Sequence, residues 1–358
     1  MRVLVVGGGI IGCATAYELA KAGAEVVLFE RSTPGAEASS AAAGLLARHG
    51  DPDQSDFARL ALASWRLYPE VVRELRELTG IDVEYVTRGT LYPLASGEAP
   101  AAGGSELGFE VLDGKNLHAL EPALSPEVQL ALFIRGDHWL NNQRLVIAYA
   151  QAAARTGVEI RVGSNVSRVI VETGRARAVQ ADGERVGGDA VLLAAGAWTS
   201  ELTAEFGAGF KIEPRRGQML ALAHTPAVLT YCVHGETYLV PRPSGELLIG
   251  ATVESAGFQR AVTAEGIQSL LRGALELVPS LAGLPIARTW CGFRPWAPDG
   301  LPALGPWPGI EGLWLATGHF RNGILLAPVT ARLMTDWLTT GKPGVEVGDF
   351  LPERFLRS

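Results

Sequence analysis

Cysteine is scarce in this sequence of 358 residues. The three cysteines, Cys13, Cys232 and Cys291, are odd in number, lie far apart and form no C-x-x-C motif. This usage is typical of a reducing compartment and argues against a disulfide framework or a structural zinc site. The six histidines show no H-x-H or H-x-x-x-H spacing with carboxylates nearby, so the sequence predicts no metal centre.

The fraction of charged residues is also low, and the sequence has no cluster of basic residues. Charged residues make up 19% of the chain, with 31 basic and 38 acidic side chains and a net charge of −7. A phosphate backbone would be repelled by this balance, so we predict no nucleic-acid partner. Hydrophobic residues make up 47% and there are 43 glycines, a composition that excludes disorder and coiled coil.

Long uncharged apolar runs are absent as well. No such run reaches the roughly 18 residues that a membrane helix requires. The apolar stretch after Arg2 could be mistaken for a signal peptide, but its glycines are regularly spaced, and Glu18 and Lys21 follow where a cleavage region would lie. We therefore expect a soluble, cytoplasmic protein.

The N-terminal segment has the pattern of a dinucleotide-binding unit. An apolar strand at 3–6 leads into G-x-G-x-x-G at Gly7, Gly9 and Gly12, a helical pattern follows to residue 22, and a second strand ends at Glu30. Such glycines let the backbone approach a pyrophosphate at the helix N-terminus, and the carboxylate accepts hydrogen bonds from ribose hydroxyls. A glycine-rich packing turn is the alternative, and the motif does not separate FAD from NAD.

The rest of the chain mixes helical and strand periods. Helices are predicted over 54–79, where Pro69 should kink or divide the helix, and over 143–155, 263–278 and 324–338. Strands are predicted at 81–86 and 90–94, at several segments between 158 and 193, in a hairpin around Ser244-Gly245, and at 313–317. A loop is predicted over 95–108. We predict an α/β fold, α+β overall, with a mainly parallel sheet in a dinucleotide-binding domain and a mostly antiparallel sheet in a second domain.

Three segments of small residues could approach a large flat ligand closely. They are SSAAAGL at 39–45, LLAAGAW at 192–198 and GHFRNGI at 318–324. The first could equally be an alanine-rich helix start. The third precedes a helix whose positive N-terminal end would stabilise an anionic reduced flavin.

Taken together, the motifs resemble the D-amino-acid oxidase family of flavoproteins. The motifs are VVGGGIIG with Glu30, SSAAAGLL, LLAAGAW, RGQML, YLVPR with GATVE, GFRPWAPDGLPALG and GHFRNGILLAP. They occur in order from residue 3 to about residue 338. Within the family the sequence is most similar to the glycine oxidases of thiamine biosynthesis.

The resemblance implies non-covalent FAD and two interleaved domains. The FAD-binding domain would comprise 1–80, 141–210 and 286–358, and the substrate-binding domain 81–140 and 211–285. The implied reaction is oxidative deamination of glycine, sarcosine or D-amino acids by hydride transfer from Cα to flavin N5. The imine then hydrolyses to a 2-oxo acid and ammonia, O2 accepts the electrons, and H2O2 forms. A homo-oligomer is expected by resemblance only.

The resemblance also assigns substrate-site residues. Arg294 would clamp the substrate carboxylate, as suits a planar guanidinium, and Tyr238 would donate a hydrogen bond to the same group. Arg321 would lie near substrate or flavin, and Leu45 would lie over the flavin ring. The alternatives are a surface ion pair for Arg294, a core aromatic for Tyr238, helix-terminal structure for Arg321 and a core leucine for Leu45.

Two positions depart from the family pattern. Glu236 stands where histidine is expected two residues before the tyrosine. Residues i and i+2 of a strand share a face, so Glu236 should point the same way as Tyr238. We hypothesise that Glu236 attracts the substrate ammonium or a cationic side chain; a solvated carboxylate is the alternative. Cys291 is one position out of register with the cysteine that binds FAD covalently in sarcosine oxidase relatives, which favours a small buried cysteine.

The resemblance places the following residues at the cofactor: Gly7, Gly9, Ile10, Ile11, Gly12, Glu30, Arg31, Ser39, Ser40, Ala43, Gly44, Leu45, Val166, Ala195, Gly196, Trp198, Gly292, His319, Arg321, Asn322, Gly323 and Ile324. Three other functions stay open. One is a D-amino-acid or proline dehydrogenase that passes electrons to a quinone or protein carrier. The others are a flavin-binding subunit without turnover and a nicotinamide dehydrogenase, which would leave GHFRNGI unexplained.

Overall fold

The computed structural model describes residues 1–47, 55–94, 109–207, 209–223 and 225–355. The predicted loop over 95–108 lies outside these residues. The helices are α1 (Ile10–Lys21), α2 (Ala38–Ala41), α3 (Asp56–Thr79), α4 (Gly114–Leu120), α5 (Asn142–Arg155), α6 (Thr199–Thr203), α7 (Ala264–Leu277) and α8 (Gly323–Thr340). Short 3-10 turns occur at Gly196–Trp198, Pro279–Gly283, Phe320–Asn322, Gly348–Phe350 and Pro352–Phe355.

The strands number nineteen within the described residues. They are β1 (Arg2–Val6), β2 (Glu25–Glu30), β3 (Leu45–Leu46), β4 (Thr90–Pro93), β5 (Phe109–Asp113), β6 (Leu130–Ile134), β7 (His138–Trp139), β8 (Glu159–Val162), β9 (Val166–Glu172), β10 (Arg175–Ala181), β11 (Glu184–Gly187), β12 (Ala190–Leu193), β13 (Glu213–Ala223), β14 (Cys232–His234), β15 (Tyr238–Pro241), β16 (Glu246–Gly250), β17 (Ile286–Trp296), β18 (Ala303–Pro306) and β19 (Leu313–Thr317).

The first large sheet has six strands in the order β18-β19-β12-β1-β2-β8. All neighbours run parallel except the edge strand β18. Helices α1, α3, α5 and α8 pack in one core against it, and residues of β9 to β11 share a second core with it. Because both faces are covered, its strands are continuous apolar runs such as Val3–Val6. The predicted α/β fold with a mainly parallel sheet is confirmed.

The second large sheet has eight strands in the order β17-β13-β16-β15-β14-β4-β6-β5. It is antiparallel except where β14 runs parallel to β4, as expected for the second sheet. Strands β15 and β16 form the predicted hairpin. The division into two interleaved domains remains a prediction. Strand β17 pairs along β13 in this second sheet, although the expected boundary at 286 placed it with the FAD-binding segments.

Residues 81–86 do not form the predicted strand. The side chain of Asp82 accepts a hydrogen bond from the backbone N–H of Glu84 at 2.9 Å, and Glu84 has a φ of 53°. An Asx turn of this kind interrupts an extended chain. What remains is an isolated bridge between Val86 and Trp139.

Helix α3 continues through Pro69, so of the predicted kink or division of this helix the division is wrong. Proline removes one backbone hydrogen bond, but α3 packs closely on α8. The hydroxyl of Ser64 donates to the carbonyl of Leu325 at 2.6 Å, and that of Tyr68 donates to the carbonyl of Ile324. These tertiary contacts hold both halves of the helix in place. None of the helices in the described ranges is long and apolar enough to cross a bilayer.

Candidate active site

A cavity of about 350 Å³ lies at the carboxyl ends of β1, β2, β12 and β19 and is closed by residues of the second sheet. This edge of a parallel sheet is where α/β proteins bind ligands. The cavity brings together most of the residues that the sequence singled out. Those that line it are Gly7, Gly9, Ile10, Ile11, Glu30, Arg31, Ser39, Ala43, Gly44, Leu45, Val166, Ala195, Gly196, Trp198, Glu236, Tyr238, Gly292, Arg294, His319, Arg321, Asn322, Gly323 and Ile324. Gly12 and Ser40 are not among them.

The glycine turn between β1 and α1 is tightly packed. Gly7 has a φ of 108°, and a Cβ there would lie 2.5 Å from the carbonyl oxygen of Ala194. A Cβ on Gly12 would overlap the carbonyl of Gly7. Gly12 therefore packs the helix against the turn, which explains why it does not line the cavity. Helix α1 begins at Ile10, whose N–H donates to the Ser39 hydroxyl at 2.9 Å.

Glu30 is fixed at the end of β2 by two backbone donors. Its carboxylate accepts from the N–H of Gly8 and the N–H of Ser32, each at 2.8 Å, and the side chain is 9% exposed. Each carboxylate oxygen has a further lone pair available for a ribose hydroxyl. Gly8 was not predicted as a site residue, although it lies inside the glycine motif. Nearby, the Arg31 guanidinium lies 3.8 Å from the centre of the Trp198 ring.

The small-residue segment that includes Ser39 and Ala43 is held by side chains that the sequence analysis missed. Asn142 donates to the carbonyl of Ser39 at 2.7 Å and to that of Ser40 at 3.2 Å. Arg242 donates to the carbonyl of Ala43 and to the Asn142 side-chain oxygen, both at 2.8 Å. Ser40 thus contributes through its backbone. The only signal for Arg242 was its place in the YLVPR motif.

The cavity is lined by two guanidiniums, those of Arg294 and Arg321, and by the phenol of Tyr238 beside them. Burial lowers the pKa of Arg321, and the positive charge of Arg294 lowers it further. Burial raises the pKa of the Tyr238 phenol, whereas Arg294 opposes this rise. Across the described residues neither guanidinium forms an ion pair with a carboxylate. Two close, uncompensated cations beside a hydroxyl donor favour a bound anion.

Two glycines make room for the Tyr238 and Arg294 side chains. A Cβ on Gly250 would lie 2.7–2.8 Å from the Tyr238 ring, and the two residues are direct partners in the hairpin. A Cβ on Gly217 would lie 2.5 Å from the guanidinium carbon of Arg294. The tyrosine and arginine side chains can therefore lie flat on the sheet only because these positions are glycine.

Glu236 lines the cavity from the turn before β15, where it is exposed. The expected place of Glu236 on the same strand as Tyr238 is wrong: Glu236 precedes β15, so strand alternation does not fix its direction relative to Tyr238. His234, which was not predicted, also lines the cavity. It is the cross-strand partner of Tyr238, with ring centres 5.7 Å apart. Leu45 packs with Tyr238 in one apolar cluster.

Helix α8 directs its N-terminus to the cavity, and His319, which also lines the cavity, precedes the helix by four residues. His319 is 3% exposed, its Nε2 lies 3.1 Å from the Thr330 hydroxyl, and burial lowers its pKa to about 3. This imidazole is therefore neutral near pH 7. Cys291 has a free thiol that is half buried, not buried as expected, and it does not line the cavity.

The cavity fits FAD on its own geometry. Gly7 and Gly12 leave no space for side chains, Glu30 would accept hydrogen bonds from ribose hydroxyls, and the α8 N-terminus would offer positive partial charge to a flavin. Residues 2–337 match the family described as FAD dependent oxidoreductase. The chain belongs to this family. FAD is accordingly its cofactor, and the prediction of family and cofactor is confirmed.

This FAD-dependent oxidoreductase is similar in sequence and structure to several named proteins. It is 35% identical to a glycine oxidase of Pseudomonas putida over 98% of both chains. It is 39% identical to a Synechocystis protein named bifunctional protein ThiO/ThiG, matching 99% of this chain and 54% of that protein, so it spans about half of the bifunctional protein. Among solved structures it is similar to glycine oxidase from Geobacillus kaustophilus, with a TM-score of 0.90, 33% identity and 98% of each chain covered.

Proposed function

We propose that this FAD-dependent oxidoreductase oxidises glycine and other small amino acids at the carbon that bears the amine. The observation that carries the proposal is the pair of uncompensated guanidiniums, Arg294 and Arg321, beside the Tyr238 hydroxyl in the FAD cavity. The glycine oxidases among its relatives support the choice of amino acid.

In this proposal the protein binds and orients, and no side chain has to remove the Cα hydrogen as a proton. Arg294 pairs with the substrate carboxylate, Tyr238 donates a hydrogen bond to it, and Arg321 adds positive charge. Leu45 and Tyr238 limit the space for a substrate side chain. Bound FAD supplies a two-electron acceptor that takes a hydride from carbon, so orientation and electrostatics are the tasks left to the protein.

The test is to mix the holoenzyme anaerobically with glycine, sarcosine, D-alanine or D-proline. We expect glycine to remove the visible absorption of the oxidised flavin, and aerobic turnover to release H2O2. If no amino acid of the panel changes the flavin spectrum, the proposed activity is wrong. If the spectrum changes but air yields no H2O2 while an artificial quinone is reduced, the protein is a dehydrogenase.

The proposal also covers the metabolic role, the location and the oligomeric state of the protein. A glycine oxidase would supply an imine product for thiamine biosynthesis, and the identity to the bifunctional ThiO/ThiG protein supports this role. Deletion of the gene in its source organism should then create a thiamine requirement. Cytoplasmic location and a homo-oligomer are parts of the same proposal, to be tested by fractionation and by light scattering.

A further inference from the structure

The tripeptide Arg216-Gly217-Gln218 on β13 presents different groups to the two faces of the sheet. Successive residues of a strand point to opposite faces, so Arg216 and Gln218 share one face and Gly217 lies on the other. The face of Arg216 is buried: Arg216 is 6% exposed and Gln218 is 1% exposed. Room for the Arg294 side chain explains Gly217 of the RGQML motif, but it does not explain the buried Arg216 and Gln218.

Glu254 is the common partner of the two polar side chains. Arg216 donates to one carboxylate oxygen through Nε at 2.8 Å and also through Nη2, and Gln218 donates to the other oxygen at 2.7 Å. The hydroxyl of Thr252 donates to that second oxygen and accepts from the N–H of Gln218 at 2.8 Å. Backbone bonds of 2.9 and 3.0 Å between Arg216 and Glu254 complete the pairing.

This network ends at the carboxylate clamp. Nη1 of Arg294 donates to the carbonyl of Thr252 at 2.9 Å, so the position of Thr252 sets the position of the guanidinium. Gly217 leaves room for the same guanidinium on the opposite face. Glu254 forms its ion pair with Arg216, and within the described residues it forms none with Arg294.

We propose that Arg216, Gln218 and Glu254 are positioning residues that hold Thr252, and through its carbonyl Arg294, in the geometry that binds a carboxylate. The inference rests on the proposed role of Arg294 in substrate binding. It assigns a function to RGQML and GATVE, two motifs of which only Gly217, Ala251 and Val253 line the cavity. Burial tends to raise the pKa of Glu254, but the bonds from Thr252, Arg216 and Gln218 lower it overall, which keeps the network charged.

The experiment measures binding of glycolate, a carboxylate without an amine, to the holoenzyme by its effect on the flavin spectrum. Glu254→Gln breaks the ion pair and should weaken glycolate binding by about tenfold, within the range of coupled networks. Glu246→Gln is the matched control. Glu246 forms a two-bond ion pair with Arg288 of β17, at 2.8 and 2.9 Å, in the same sheet, and should change the Kd less than about twofold.

A double-mutant cycle separates positioning from general damage. In an Arg294→Lys background the Glu254→Gln change should lose most of its effect, because lysine cannot use the geometry that the network sets. The inference is overturned if Glu254→Gln leaves the Kd unchanged, if it acts equally in both backgrounds, or if Glu246→Gln is as harmful.

Failure of the proposed function gives a different result. If Arg294→Met leaves glycolate binding intact, Arg294 is not the carboxylate ligand, whatever Glu254→Gln does. If Glu254→Gln yields no holoenzyme, Thr252→Val replaces it in every arm. That variant removes the hydroxyl that links Gln218 to Glu254 but retains the backbone carbonyl of residue 252. The same changes in Kd then support or overturn the inference.

Discussion

The ring of Tyr238 packs directly on the backbone of Gly250, its partner across the hairpin, so that an added Cβ would lie 2.7–2.8 Å from the ring carbons and hydroxyl. Alanine at Gly250 must therefore displace the tyrosine from the cavity. We expect Gly250→Ala to raise the KM for glycine by about tenfold, as loss of one hydrogen bond to a charged group would do, while FAD is retained. Steady-state kinetics measure this.

Gly283→Ala is the control for that substitution. A Cβ at Gly283 meets no atom within 4 Å, so its KM should match that of the wild type. An unchanged KM in Gly250→Ala would show that Tyr238 does not contact the substrate.

Arg294 and Arg215 are direct cross-strand partners, and only Arg294 lines the cavity. Arg294→Met should lower kcat/KM for glycine by at least about 30-fold, because the substrate carboxylate loses its charged partner. Arg215→Met removes an arginine that pairs with Glu213 at 3.1 Å and stacks on Trp296. Similar losses in both variants would assign the effect to the sheet and not to the clamp.

Glu30 and Glu25 stand at opposite ends of β2, and their roles should differ. Glutamine at Glu30 would turn an amide N–H₂ toward one of two backbone donors, the N–H of Gly8 or of Ser32. We expect Glu30→Gln to weaken FAD binding by about tenfold or more. Glu25→Gln breaks an exposed ion pair with Arg2 and should not alter the Kd for FAD, measured by fluorescence quenching.

Cys291 bears on how FAD is attached. Its thiol is half buried and lies outside the cavity lining, with Gln218 as its cross-strand partner. We therefore expect denaturation to release all FAD. Mass spectrometry of the denatured protein should give the mass of the polypeptide alone, and a species heavier by one FAD would contradict non-covalent binding.

Local patterns were sufficient for the dinucleotide-binding unit. The strand, the glycine turn, helix α1 and Glu30 lie within the first 30 residues, and each is specified by neighbouring residues. The motif resemblance added Arg294, Tyr238 and Arg321, which the structure brings into one cavity. Their roles stay predictions.

Features that depend on distant contacts could not be predicted. Arg242 bonds to the carbonyl of Ala43, 199 positions away, and nothing local to either residue indicates the other. The use of Gly217 depends on the register between β13 and β17, which strand periodicity does not reveal. Pro69 was expected to kink or divide a helix, and α3 is not divided there. The contacts of α3 with α8 that stabilise it are invisible in its own sequence.

His319 should make folding stability depend on pH. Burial lowers its pKa from the ordinary value of 6.5 to about 3. Between these two pH values the imidazole binds a proton in the unfolded chain but not in the folded protein. Stability is therefore fully present above pH 6.5 and falls as the pH drops from there toward 3. His138, whose pKa burial lowers to about 4, acts in the same direction. Urea unfolding of the holoenzyme should show midpoints that decline between about pH 7 and about pH 5, and His319→Asn, although less stable at neutral pH, should show a shallower decline. If the urea midpoint of the variant declined with pH as steeply as that of the wild type, the pKa of His319 would not be lowered in the folded protein.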